Sequence, residues 1–410
     1  MSGMPQRRAS GHFARAACAV AGLALCLSSL GLGAATAGSA TDPLAEGVYA
    51  GAAVPLQVAA FDAATGTHSS IAADYLPANS GWAGMDGQGD SLRWMFADGW
   101  TGTPYTLELG VPIIPTDSAG HRVGTLTAGA NGAYNSHFKT LARTLVAARE
   151  SGAYLRLGFE FDGGWTAWNA TTPASEAKFA AYFRQIVKAM RSVPGENFKF
   201  VWNPDAEAFS SRSYDVALAY PGRAYVNVIG LDAYDQAWVT PLTPANAWNE
   251  ATLPALTAAQ KFAAAHGKPL ALSEWGTAIR TDGHGLGDDP FFVTNIIAWM
   301  RNPANHVTFE AYFDFDGRGT NSVITGGRFP RSLAAFRAGF KRTHAREIQS
   351  GSSTHVPWAA LATLVVVAGI GVGWTTRRKS NGHRAVTRTR VHPPAPGALA
   401  SPQEWADQTP

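Results

Sequence analysis

The sequence predicts an α/β fold, a (β/α)8 TIM barrel, followed by one membrane-spanning helix. Three observations carry this expectation. Short apolar runs alternate with longer amphipathic stretches from Gly47 to His344, eight such runs can be counted, and acidic and aromatic residues collect where the runs end. Alternation of this kind belongs to parallel strands joined by helices, and a barrel keeps its chemistry at the C-terminal ends of its strands.

The eight predicted strands are Gly47 to Ala53, Ser70 to Tyr75, Tyr105 to Ile114, Tyr154 to Phe159, Phe198 to Trp202, Val226 to Asp232, Leu270 to Ser273 and Val307 to Phe313. Helices are expected over His137 to Arg149, Ser175 to Arg191, Leu256 to His266, Asp289 to Trp299 and Ser332 to Lys341. Phe179, Tyr182, Phe183, Ile186 and Met190 share one face at helical spacing, which is ordinary core packing. A doubly wound open sheet is the alternative, but no Gly-x-Gly-x-x-Gly follows the first strand.

The ends of the chain predict its location. Residues 1–37 have basic Arg7, Arg8 and Arg15, an apolar run from Ala16 to Leu32, and Ala35-Thr36-Ala37, the three parts of a secretory signal. Whether Arg7-Arg8 directs twin-arginine export or ordinary secretion stays open. Residues 38–349 form the expected catalytic domain and 350–355 a linker. Val356 to Thr376 carries no charge and runs into Arg377-Arg378-Lys379, the pattern of a single transmembrane helix with a stop-transfer anchor. Basic residues mark the cytoplasmic side. The barrel is therefore expected outside the cell membrane, with the Arg- and Pro-containing 377–410 tail disordered in the cytoplasm.

Several classes of function drop out. Both cysteines, Cys18 and Cys26, lie in the signal, so disulfides, thiolate metal sites and cysteine nucleophiles are excluded from the mature domain. The net charge of +3 resides largely in the chain ends and gives no support to a nucleic-acid partner. The histidines lack the spacing of a zinc site, and Ser273 has no nucleophile elbow around it. No cofactor and no metal are expected, and the sequence does not speak to the oligomeric state.

Two glutamates at strand ends carry the expected chemistry. Glu160 lies in Arg156-Leu-Gly-Phe-Glu160-Phe-Asp162-Gly-Gly-Trp165, and Glu274 in Leu272-Ser-Glu274-Trp275-Gly276, three strand-helix units downstream. Glycosidic cleavage needs one carboxyl to protonate the leaving oxygen and another to attack the anomeric carbon or activate water. Phe159 and Phe161 would raise the Glu160 pKa by disfavouring its charge, while Arg156 would lower it. A lone strand-end glutamate is more often a salt bridge or a helix cap; a pair on one aromatic-rich rim favours catalysis. Pyranose rings pack their C–H faces on aromatic rings, which makes Trp165 and Trp168 candidate sugar platforms, whereas Trp94 and Trp248 read as core. His284 and Asp288, in a Gly-rich loop, fit a sugar contact or a plain surface loop equally well.

From about Gly47 to Phe340 the chain resembles glycoside hydrolase family 26, whose best-known members are endo-β-mannanases. The likeness rests on Arg156, Glu160 and Trp165 at the fourth strand, Trp202-Asn203-Pro204 at the fifth, Ile229-Gly-Leu-Asp232-Ala-Tyr234 at the sixth, and Glu274-Trp275-Gly276 at the seventh, with His266-Gly-Lys-Pro269 leading into it. The resemblance implies a retaining hydrolase with Glu160 as acid/base and Glu274 as nucleophile. It also implies that Tyr234 hydrogen-bonds the nucleophile, and Arg156, Asp162, Trp165, Trp168, Trp202, Asn203, Tyr234 and Trp275 are the expected substrate-binding residues. Two positions depart from the family pattern. Phe159 stands where its mannanases have histidine, and Asp162 where asparagine is common, so mannan specificity does not carry over. The expected substrate is a β-linked polysaccharide, mannan-like or an exopolysaccharide. A glycan-binding barrel with weak or no catalysis and a polysaccharide-modifying transglycosylase are the competing readings.

Overall fold

The computed structural model describes residues 44–351 apart from 212 and 318, with side chains described as far as residue 341. Eight parallel strands close into one barrel. They are β1 (Gly47–Tyr49), β2 (Ile71–Tyr75), β3 (Thr106–Val111), β4 (Tyr154–Leu157), β5 (Lys199–Trp202), β6 (Val228–Tyr234), β7 (Leu270–Gly276) and β8 (Val307–Phe313). Closure runs through Val48 opposite Tyr312 and Tyr49 opposite Phe313. All eight expected strands exist, several of them shorter at one end than their apolar runs.

The longer helices are α1 (Pro55–Thr65), α2 (Asn135–Ala147), α3 (Pro173–Arg191), α4 (Leu253–His266), α5 (Pro290–Met300) and α6 (Pro330–Gly351). Local chemistry sets their ends. Thr172 and Ser175 form a reciprocal capping box with Pro173 at the first turn of α3, and Gly267 ends α4 in the left-handed conformation. One face of α3 buries Phe179, Tyr182, Phe183, Ile186 and Met190, as the helical spacing predicted.

Two local irregularities shape the barrel mouth. Between β6 and β7, Leu231 pairs with Leu272 but Asp232 pairs with Glu274, so Ser273 is an extra residue in β7. A bulge of this kind re-aims the side chains that follow it, and here it sets Glu274 opposite Asp232. At the end of β4, Gly158 has φ +61° and Glu160 has φ +47°. A Cβ on Gly158 would press against Ile113 and Phe179, and the left-handed backbone disfavours any other residue there.

The expected signal (residues 1–37), linker, transmembrane helix (356–376) and tail lie outside the described residues. Among the described residues no helix is long and apolar enough to cross a membrane.

Candidate active site

Arg156, on β4, is fully buried inside the barrel. The Arg156 Nη2 donates at 2.7 Å both to Glu274 Oε1 and to Asp232 Oδ2, and its Nε donates to Asn203 Oδ1 at 2.8 Å. Burial works against the guanidinium charge, but Asp232, Glu274 and Glu108 outweigh it and hold Arg156 protonated. Asn203 and Asp232, at the ends of β5 and β6, thus fix the arginine that fixes Glu274. Arg156 and Asn203, expected as sugar contacts, are buried to 1% and 0% exposure. Their place under the carboxylates makes them positioning residues.

Glu274 is the most tightly held group in the mouth. Besides Arg156, Tyr75 Oη donates to its Oε1 at 2.6 Å and Tyr234 Oη to its Oε2 at 2.8 Å. Burial, and after it the Glu274 charge, raises both phenol pKa values well above the ordinary tyrosine value, so both tyrosines remain donors. Three donors on one carboxyl lock its rotamer. The Tyr234 contact is the one that the resemblance implied. Tyr75 was not singled out, although an aromatic residue closing the second strand was a usable signal. Its ring passes over Gly110, where a Cβ would collide with it.

Glu160 is held differently. Its backbone N–H donates to Asn203 O at 2.9 Å, its carbonyl accepts from Gly163 N at 3.0 Å, and Trp165 Nε1 donates to Oε2 at 2.9 Å. Burial raises its pKa to about 8 and the nearby Glu274 adds to this, while Trp165 and Arg156 pull the other way. Glu160 is therefore protonated at neutral pH, with an aromatic N–H on one oxygen. Carboxylate oxygens of Glu160, Asp232 and Glu274 all lie within 4.8 Å of one another. The positive charge beside this trio comes from Arg156, already seated on Asp232 and Glu274.

The tryptophans divide sharply. Trp165 is 41% exposed on the loop after β4, where a sugar can reach it. Trp168, Trp202 and Trp275 correct the expectation of sugar contact, because all three are fully buried and donate inward, to Phe159 O, Ala219 O and Glu310 respectively. Trp275 also stacks on Phe336 of α6, on the outer side of the barrel wall, so no face of its ring is left for a ligand. Trp248 is core as expected, and Trp94 is half-buried against it. His284 stacks on the exposed Trp238, while Asp288 accepts from the Arg331 and Ser332 amides at the start of α6. Asp288 is thus structural.

Asp162 faces a cavity of about 590 Å³ beside Trp165. Its Oδ1 accepts from Asp205 N at 3.0 Å, and burial raises its pKa to about 7. Phe159, at the departure from the family pattern, is buried between Tyr75 and Trp168 with the Arg156 guanidinium 5.0 Å from its ring centre. It supplies shape and offers no side-chain hydrogen bond.

Known proteins agree with this reading of the family. The profile of Glycosyl hydrolase family 26 matches residues 128–268, a span that contains Glu160, Asn203 and Tyr234. A mannan endo-1,4-beta-mannosidase of Bifidobacterium adolescentis is 27% identical over 201 residues, which is 47% of this chain and 20% of that protein. The chain thus spans about a fifth of the length of this curated relative. Among solved structures, an endo-beta-1,4-mannanase double mutant of Cellulomonas fimi superposes with a TM-score of 0.55 at 19% identity, covering 73% of this chain and 71% of that one. GH26C of a Muricauda species gives 0.50 at 14% identity, covering 73% and 86%. At such identities the superpositions speak for the shared barrel, and the profile and the curated relative for the family resemblance.

Proposed function

We propose, from the premise that this chain is similar in sequence and in its eight-stranded barrel to glycosyl hydrolase family 26, that it is a membrane-anchored, extracytoplasmic, retaining endo-glycoside hydrolase of a β-linked polysaccharide. The observation that carries the reading is the unequal pair at the mouth. Glu274 is a carboxyl gripped by three donors, and within 4.8 Å of it Glu160 is a carboxyl kept protonated.

Glu274 attacks the anomeric carbon as Glu160 passes its proton to the departing glycosidic oxygen. The result is a glycosyl ester on Glu274 and a shortened chain with a free hydroxyl. Glu160, now a carboxylate, takes a proton from water, whose oxygen attacks the same carbon and releases Glu274. Retaining enzymes set their two carboxyls about 5 to 5.5 Å apart, and inverting enzymes about 6.5 to 9.5 Å, to admit a water. An oxygen of Glu160 within 4.8 Å of one of Glu274 is in keeping with the closer arrangement.

During the first step Glu274 loses its charge to the ester, so its donors must hold the leaving carboxylate in deglycosylation. Arg156, Tyr75 and Tyr234 are placed to do this in both half-reactions. Anchoring rests on the charge-free Val356 to Thr376 run followed by three basic residues, and export on the residue 1–37 pattern.

A panel of β-mannans, β-glucans, xylans and the exopolysaccharide of the host, offered to the detergent-solubilised full chain, tests the activity. Turnover that disappears in both Glu160→Ala and Glu274→Ala is expected. Binding without turnover, unchanged in both variants, would replace the hydrolase by a glycan-binding barrel. Protease added to spheroplasts should remove the barrel and spare the tail; a protected barrel contradicts the orientation.

A further inference from the structure

The cavity beside Glu160 has an unusual wall. Trp165 and Trp238, at 41% and 55% exposure, both line it, as does Tyr214. Asp162, Asp205, Glu207 and Glu250 line it with them. Among the described residues that line the cavity there is no lysine, arginine or histidine. Arg280 lies over the Trp238 ring and donates to Asp282 and Gln236, and its charge lowers the Glu207 pKa against the larger effect of burial. With His284 stacked on Trp238 as well, Trp165 is left as the platform, and an exposed aromatic face on a concave surface suits a sugar. The acidic groups then decide which sugar.

The place of the cavity fixes which part of the substrate it meets. Trp165 donates to the acid/base Glu160, and Asp162 is two residues beyond that group. The acid stands on the leaving-group side of the scissile bond, so the cavity receives the chain that departs.

We infer that the leaving-group side of this cleft accepts cationic amino sugars, a β-linked polysaccharide with free amino groups, and rejects uronic acids. The inference rests on the hydrolase reading and narrows its substrate class. An ammonium on C2 of a sugar stacked on Trp165 comes among carboxyl groups that burial pushes toward their neutral forms, and in a partly desolvated wall its charge draws them into the ionised form and pairs with them. A uronate would find no cation in these lining groups and would push their carboxyls further toward the neutral form. The state of the empty wall agrees. Burial raises Asp162 to about 7, with the Glu207 charge adding to it, and raises Asp205 well above the ordinary value, with Asp162 and Glu207 adding to it. A bound cation relieves that crowding.

The test compares four β-1,4-linked hexamers that differ in charge, titrated calorimetrically into the full chain carrying Glu274→Ala. They are a glucosamine hexamer, its N-acetylated counterpart, mannohexaose and a mannuronate hexamer. We expect the glucosamine hexamer to bind about tenfold or more tighter than either neutral one, the mannuronate weakest, and the spread to shrink as salt is raised. Glu207→Gln, which removes a charge without changing size, should cut the glucosamine preference about threefold or more. Asp162→Asn is the second variant and should act in the same direction. Neutral hexamers binding as tightly as the cationic one, or a preference untouched by both variants, overturns the inference. Turnover of an activated aryl β-glycoside by the wild type reads the catalytic pair without needing this wall. Turnover kept and preference absent sinks this inference alone; turnover absent sinks the hydrolase reading beneath it.

Discussion

Glu274 on β7 and Glu160 after β4 face each other across the barrel mouth, yet they are held by opposite means. Glu274 sits on a strand, 5% exposed, with Arg156, Tyr75 and Tyr234 donating to its two oxygens. Glu160 sits on a turn with φ +47° and has Trp165 as a side-chain donor. A left-handed backbone at a non-glycine residue costs on the order of 1–3 kcal/mol and persists where surrounding contacts impose it. The contrast teaches how one fold makes two carboxyls unlike. Donors and a buried cation fix the first in one rotamer, and burial, with Glu274 adding to it, keeps the second protonated.

The comparison breaks most visibly if each glutamate is removed in turn. Glu274→Ala should lose roughly 10⁴-fold or more of kcat on polymer and on an activated aryl glycoside alike, because nothing remains to attack the anomeric carbon. Equal residual activity on the aryl substrate would contradict its role. Glu160→Ala should lose on the order of 10²- to 10⁴-fold on polymer and far less on the aryl glycoside, whose leaving group scarcely needs a proton. Added azide should restore part of that activity and yield a β-glycosyl azide; an α product would mean inversion.

Arg156→Met tests whether the grip on Glu274 is also structural. Asp232 and Glu274 would be left buried without their cation, at a cost of about 3–5 kcal/mol in stability, read by urea denaturation. Tyr234→Phe removes one donor and leaves Arg156 and Tyr75 in place. A loss near tenfold in kcat, with little change in melting temperature, is expected.

The smallest effect is the most specific. The native Glu160 keeps its proton to about pH 8, against an ordinary value of 4.5. Activity on polymer should therefore fall as pH rises through about 8. The same raised value makes native stability decline from about pH 4.5 up to that point, since the unfolded chain gives up the proton first. Glu160→Gln should accordingly raise the melting temperature more at pH 8 than at pH 5. Trp165→Phe deletes an N–H that favours the charged form, so the alkaline limb of the activity profile should move to higher pH. A limb that stays in place would detach Trp165 from the acid.

Much of this was legible in the residues themselves. Apolar runs marked all eight strands, helical spacing marked the α3 core face, and Glu160 and Glu274 stood out because carboxyls at strand ends must face the mouth. Arg156, Asn203 and Tyr234 stand out in the sequence, but as sugar contacts, whereas Arg156 and Tyr234 donate to Glu274 and Asn203 holds Arg156. Periodicity says which face a side chain takes; it says nothing about what waits on that face. For the same reason Trp168, Trp202 and Trp275 were indistinguishable from Trp165 in sequence, although one ring is exposed and three are core.

By itself the sequence determined the barrel, its strand order and the two carboxyls, because hydrophobic period and strand-end chemistry are local properties. Only the tertiary structure decided the extra residue Ser273, which sets Glu274 opposite Asp232, and the meeting of Tyr75 with a carboxyl 199 residues away. It also gathered Asp162, Asp205, Glu207 and Glu250 into one wall. Register between strands and contacts across a closed barrel are set by packing among distant segments, and no local pattern encodes them.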